Sequence, residues 1–224
     1  MSNKLRYAII DWLRTFAIVL MVIYHFTFDL ALLRLISTDV FYSLPMTVIG
    51  RTCLSLFLFC VGYSLAISHV KGIHWPAFAK RLLKIALAAG AVSLATLIAF
   101  PDSWIYFGIL HCIAVSSVLA LAFLRLPLVA LATGIALMTA WWGFDTTLPW
   151  YHAGRPSLDY IALFPWFGMV LIGIGAHRLQ LHTWLPVPPH PGAQWLSRHS
   201  LLIYLLHQPL LLGLAFLLSR LPLQ

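Results

Sequence analysis

Glutamate is absent from this 224-residue chain, and charge of either sign is scarce: six aspartates and fourteen lysines and arginines make up 9% of the residues. A soluble domain carries about 25% charged residues, and so few cannot supply a charged exterior. Extended disorder is excluded by the same composition, which is 62% hydrophobic with a mean hydropathy of +0.93. Cysteine is sparse too. Cys53, Cys60 and Cys112 lie inside apolar runs, and an odd count buried in hydrocarbon argues against a disulfide framework. No CxxC or Cys/His zinc spacing occurs, so no metal is expected. The net charge of +8 comes from short segments rather than one basic face. The pI of about 9.8 therefore reads as membrane topology and not as nucleic-acid binding.

What the chain has in abundance is long apolar runs. Spanning a bilayer takes roughly 17–25 apolar residues as a helix, and seven stretches qualify, near 8–33, 47–68, 81–100, 107–124, 127–143, 161–177 and 200–219. Barrel-type alternation is absent. The expectation is an all-α polytopic membrane bundle of about seven transmembrane helices, a single integral-membrane domain over 1–224. Lys4 and Arg6 before an apolar run could imitate a secretory signal, but Asp11 and Arg14 interrupt that run and no small-residue cleavage site follows, so it reads as a retained first helix.

Orientation follows from the cations. With the N-terminus inside, Lys4, Arg6, Arg14, Lys71, Lys80, Arg81, Lys84, Arg125, Arg178 and Arg198 fall at the cytoplasmic side, and Arg34, Arg51, Arg155 and Arg220 at the other. That is the positive-inside pattern, with the C-terminus outside; Asp29, Asp39, Asp102, Asp145 and Asp159 gather toward the outer face. The nine tryptophans, Trp166 among them, cluster near helix ends and read as interfacial anchors. Residues 178–199, with the Pro-rich run WLPVPPHPGAQW at 184–195, read as a non-helical cytoplasmic linker between helices six and seven. The loop 144–160, with Asp145, His152, Arg155 and Asp159, is the longest outer connection and a place to meet an external substrate.

Ionisable groups within membrane helices cost a few kcal/mol each and are site hypotheses by default. Helix one holds most of them. Asp11, Arg14, Ile18, Met21 or Val22, His25 and Asp29 recur every three or four residues, a stripe on one face that must point into the bundle. Arg14 and His25 are eleven residues apart, about 16 Å along the axis at nearly the same azimuth. His25 and Asp29, at i and i+4, suggest a base with its orienting carboxylate. Asp11 and Arg14 suit either a structural ion pair or, for the arginine, a phosphate contact. Arg51 opens helix two and can snorkel to the outer interface. His111 lies early in helix four; His207 and Gln208 precede Pro209, where a kink is expected, and serve as packing or as a site wall. Gly168, Gly173 and Gly175 suggest close helix packing.

The D-x-x-R of IDWLRTFAIVLMVIYH (10–25), with His25 eleven residues after the arginine, resembles the first helix of the transmembrane acyltransferase superfamily, which includes bacterial O-acyltransferases of surface polysaccharides. With FGILHCIAV (107–115), FPWFGMVLIGIGA (164–176) and LSRHSLLIYLLHQPLL (196–211), the chain looks most like the bacterial branch similar to the catalytic domain of heparan-α-glucosaminide N-acetyltransferase. The resemblance implies transfer of an acetyl or other acyl group from cytoplasmic acetyl-CoA to a hydroxyl or amine of a glycan-like acceptor, in a bacterial inner membrane. It implies His25 as the catalytic base and Arg14, with Asp11 before it, at the donor; on chemistry alone Asp29 suits the support of that base, and Lys80, Arg81, Lys84 and Arg198 of the inner loops suit further contacts to the donor's phosphates. Arg51, His111 and His207 are the candidate substrate-binding residues. The local sequence of the luminal histidine of the N-acetyltransferase branch has no match here, so His25 is carried over from the O-acyltransferase pattern. Partners implied are acyl-CoA, the glycan-like acceptor and membrane lipid, with no nucleic acid; the oligomeric state stays open, a homodimer included.

Two rival readings remain at the level of sequence. His25, His111 and His207 could supply axial ligands to a haem, although their depths differ, and a transporter could use the break at Pro209. A retinal-type photoreceptor would need a lysine in helix seven, and there is none.

Overall fold

The computed structural model describes residues 5–184 and 186–221, the first three by backbone alone; Lys4 and the side chain of Arg6 lie outside the described residues. All regular structure among them is helical: α1 (Leu5–Leu32), α2 (Thr38–Phe41), α3 (Leu44–Ser68), α4 (Trp75–Ala99), α5 (Ile109–Ala120) running into a 3-10 turn (Leu121–Phe123), α6 (Pro127–Phe144), α7 (Phe167–Arg178), α8 (Leu181–Trp184), α9 (Pro191–Arg198) and α10 (Ser200–Leu218). A helix satisfies its own backbone groups, which is what a lipid environment demands. Each of the seven apolar stretches overlaps one of these helices. Five are long and apolar enough to cross a membrane, within α1, α3, α4, α6 and α10.

The other two are shorter than the sequence suggests. The stretch 161–177 becomes helical only at Phe167, because Pro165 disfavours helical backbone at the residue before it; a turn in which Gly168 donates to the Pro165 carbonyl fills the gap. The stretch 107–124 tightens into the 3-10 turn at its end. α10, by contrast, continues through Pro209 without ending.

The chain divides into two compact units: the described parts of Met1–Phe57 and Val187–Gln224, and Leu58–Pro186. In the second unit α7 packs through its glycines. A Cβ on Gly173 would collide with the carbonyl of Phe59 on α3, and one on Gly62 with the carbonyl of Val170, so only glycine permits this approach. Trp166 does not act as an interfacial anchor: it is buried just before α7, its ring 5.0 Å from that of Trp141.

In the first unit the stripe on α1 points inward as its spacing requires. Ile18, Met21 and Asp29 are buried, whereas Phe16 and Val19, on other faces, are about half exposed. Ile18 and Met21 pack with Cys53, Leu196, Ile203 and Tyr204 from α3, α9 and α10. The Pro-rich segment is not wholly non-helical. Pro191 occupies the first turn of α9, where its missing N–H removes no helical bond, and the His190 ring caps that helix by accepting from the Gly192 N–H at 3.2 Å. This segment lies along α1: Trp12 donates to the Pro188 carbonyl at 3.0 Å and Thr15 to the Ala193 carbonyl at 3.3 Å.

Candidate active site

The first unit brings four polar side chains together between α1 and α10. Asp29 is fully buried and its Oδ1 accepts from Gln208 Nε2 at 2.6 Å. His25, one turn earlier, meets the ring of His207 edge-on with centroids 4.8 Å apart and planes at 69°. That contact leaves no room for a porphyrin plane between the two imidazoles, so they do not form a haem's axial pair. His207 is buried, and its Nδ1 lies 2.6 Å from the Tyr204 carbonyl. Since a carbonyl only accepts, Nδ1 carries the hydrogen and Nε2 the lone pair.

The expected His25–Asp29 hydrogen bond does not form among the described residues; the amide of Gln208, on α10, takes the carboxylate instead. What the cluster does have is surplus acceptors. Asp29 Oδ2, Gln208 Oε1 and His207 Nε2 are all buried with no donor among the described residues. An unsatisfied buried polar atom costs about 1–3 kcal/mol, so three in one place mark a site that a donor-bearing ligand can complete.

Toward the start of α1, Arg14 is half-buried and donates from Nη1 to Ser197 Oγ of α9 at 2.9 Å. The guanidinium thus sits at the C-terminal turn of α9, where the helix dipole favours a cation. Arg198, next along α9, is exposed, and Asp11 is half-buried one turn before Arg14. An apolar groove of about 350 Å³ runs along α10 from Trp195 and His199 to Leu206 and His207, linking the α9 end to the polar cluster. Arg51 is exposed on α3; its neighbour Gly50 leaves space for Tyr24, whose ring touches His25.

His111 belongs to the second unit, where both ring nitrogens are engaged. Its Nδ1 accepts from the Gly108 N–H at 3.2 Å, the reciprocal half of a capping box at the start of α5. Its Nε2 lies 3.3 Å from Ser93 Oγ, which donates onward to the Ile105 carbonyl at 2.7 Å. Asp159, in the loop between α6 and α7, completes this cap by accepting from the Ile109 N–H at 3.3 Å. Burial raises the Asp159 carboxyl above its ordinary range, and the Ile109 bond offsets part of that rise. A Cβ on Gly108 would stand 2.7 Å from Asp159 Oδ2, which explains the glycine. The same loop is anchored by Arg155 over the Trp104 ring at 4.6 Å.

Helix α9 and the pairing of Gln208 with Asp29 are the parts of the candidate site that spacing arguments pass over. Pro191 in a first turn and Arg198 seven residues later signal α9, whereas nothing local connects Gln208 with Asp29.

The fold and site define a membrane-capable helical bundle with a polar, acceptor-rich centre between its first and last helices. A family model described as heparan-alpha-glucosaminide N-acetyltransferase, catalytic, matches residues 6–209. The chain belongs to that family, and its class is that of a membrane acetyltransferase. No curated protein and no solved structure matches the chain.

Proposed function

We propose that the protein transfers an acetyl group from cytoplasmic acyl-CoA to a hydroxyl or amine of a glycan-like acceptor, with His25 as the general base. The observation that carries this reading is the set of three buried acceptors beside His25, Asp29 Oδ2, Gln208 Oε1 and His207 Nε2. The hydroxyl or amine donors of an incoming acceptor fill Asp29 Oδ2 and Gln208 Oε1, which holds the reacting group where the imidazole of His25 can take its proton. The family match supports acetyl transfer as the reaction.

Arg14, with Asp11 beside it and Arg198 exposed at the end of α9, is the proposed contact for the donor's phosphates. From there to His25 is about 16 Å along α1, and the groove along α10 offers the acyl arm an apolar path over the same direction. Arg51 is proposed for the acceptor's side. The distribution of lysine and arginine supports an orientation with the N-terminus inside and the C-terminus outside, and the membrane proposed is a bacterial inner membrane.

Purified protein in proteoliposomes, given labelled acetyl-CoA and an amino-sugar or polysaccharide acceptor, is expected to transfer label. His25→Ala is expected to lower the rate by about 100-fold or more while eluting as a folded protein. Undiminished transfer by that variant contradicts the assignment.

A further inference from the structure

Asp29 stands at the spacing of an orienting carboxylate, yet its hydrogen-bond donor among the described residues is Gln208. The ring that His25 does meet is that of His207. His207 is 8% exposed, its Nδ1–H is committed to the Tyr204 carbonyl, and its Nε2 lone pair is buried without a donor among the described residues. A backbone carbonyl that fixes one imidazole nitrogen as N–H sets the other as acceptor.

We propose that His207 is the positioning residue of the His25 base: Nε2 of His207 accepts one ring N–H of His25, and the second nitrogen of His25, left with its lone pair, receives the acceptor's proton. The inference rests on the acyl-transfer reading above. It extends that reading by moving the orienting role from Asp29 to a carbonyl–imidazole relay running from Tyr204 through His207 to His25. In the resting protein the rings are in edge contact; the hydrogen bond closes when substrate fills the site, as catalytic hydrogen bonds commonly tighten on binding.

The chemistry balances. The acceptor heteroatom's lone pair attacks the thioester carbon as its proton passes to the free His25 nitrogen, and the new imidazolium keeps its other N–H on His207. The new C–O or C–N bond forms, the C–S bond breaks, and the departing thiolate takes the proton back from His25. Asp29 and Gln208 are then free to hold the acceptor through Oδ2 and Oε1.

Two arms test this. In the kinetic arm, His207→Phe, which keeps bulk but removes the acceptor nitrogen, is expected to lower kcat about 100-fold with the KM for acetyl-CoA within about twofold. His207→Gln, whose amide oxygen can accept from His25, is expected to recover about tenfold of that loss. Wild-type kcat in His207→Phe, or no difference between Phe and Gln, overturns the proposal.

In the second arm, 15N-histidine NMR of the intact protein in detergent reads tautomers without any turnover. His207 is expected as Nδ1–H, and His25 as one tautomer when an acceptor sugar is present, becoming a mixture in His207→Phe. His207 as Nε2–H, or a His25 tautomer indifferent to residue 207, overturns it. If the wild-type protein transfers no acetyl group, the acyl-transfer reading fails, while the NMR arm still decides whether His207 orients His25.

Discussion

The two histidine clusters of this protein look alike in sequence and differ in how their hydrogen bonds close. At the start of α5, His111, Ser93, Gly108 and Asp159 form a circuit in which both nitrogens of the imidazole are used and the serine hydroxyl passes its hydrogen to a backbone carbonyl. Between α1 and α10, Asp29, His207 and Gln208 each make one strong hydrogen bond and leave one buried acceptor unpaired. A circuit that is complete needs nothing further and builds the fold. A circuit short of donors is unfavourable until something supplies them, and such deficits accumulate where a protein binds and reacts.

The comparison predicts opposite responses to removal. Replacing Asp29 and Gln208 together by leucine eliminates two orphaned atoms along with their mutual bond, and removal of both partners is commonly neutral or stabilising. The double variant is expected to lose acetyl transfer by about 100-fold or more with a Tm equal to or above wild type; a marked fall in Tm would place this pair with the structural circuit. Next in size, Arg14→Ala is expected to weaken acetyl-CoA binding about tenfold, the equivalent of one charge-assisted hydrogen bond, as read by calorimetry on the solubilised protein.

His111→Ala takes away a cap and a side-chain bond. It is expected to cost about 1–2 kcal/mol, a drop of roughly 4 °C in Tm, with transfer retained below the lowered transition. The smallest effect falls on Asp159. Its carboxyl is raised in the fold, so the folded protein binds more protons than the unfolded chain, and stability falls as pH rises from about 4 through the raised value. Asp159→Asn keeps an oxygen for the Ile109 N–H and removes that slope, with Tm raised by about 2 °C at neutral pH. An unchanged slope refutes the assignment to this carboxyl.

Sequence and structure agree where periodicity and length dominate. The last apolar stretch, 200–219, is α10 within a residue, 127–143 is α6 within a residue, and the stripe from Asp11 to Asp29 does face inward. Disagreement begins where one local rule competes with another. Proline at 191 reads as a breaker within a Pro-rich run, yet at a first turn it starts α9; proline at 165 truncates a run that hydropathy alone extends. Within the site, His25 and Asp29 were visible because they share one helix. The partners they choose are on α10, and the Asp29–Gln208 bond joins residues 179 positions apart, a pairing set by helix packing that no spacing within α1 encodes. Packing likewise gives both ring nitrogens of His111 partners within the fold, which its residue type alone does not signal, since a histidine three residues into a helix can cap it as well as bind a ligand.

The most direct test sets the two clusters side by side: acetyl transfer and thermal unfolding of His25→Ala and His111→Ala, each against wild type in the same lipid. The expected result is a His25→Ala protein that is folded and without transfer, and a His111→Ala protein that melts earlier and still transfers. Transfer preserved in His25→Ala and lost in a folded His111→Ala would place the active site at the start of α5 and contradict the account.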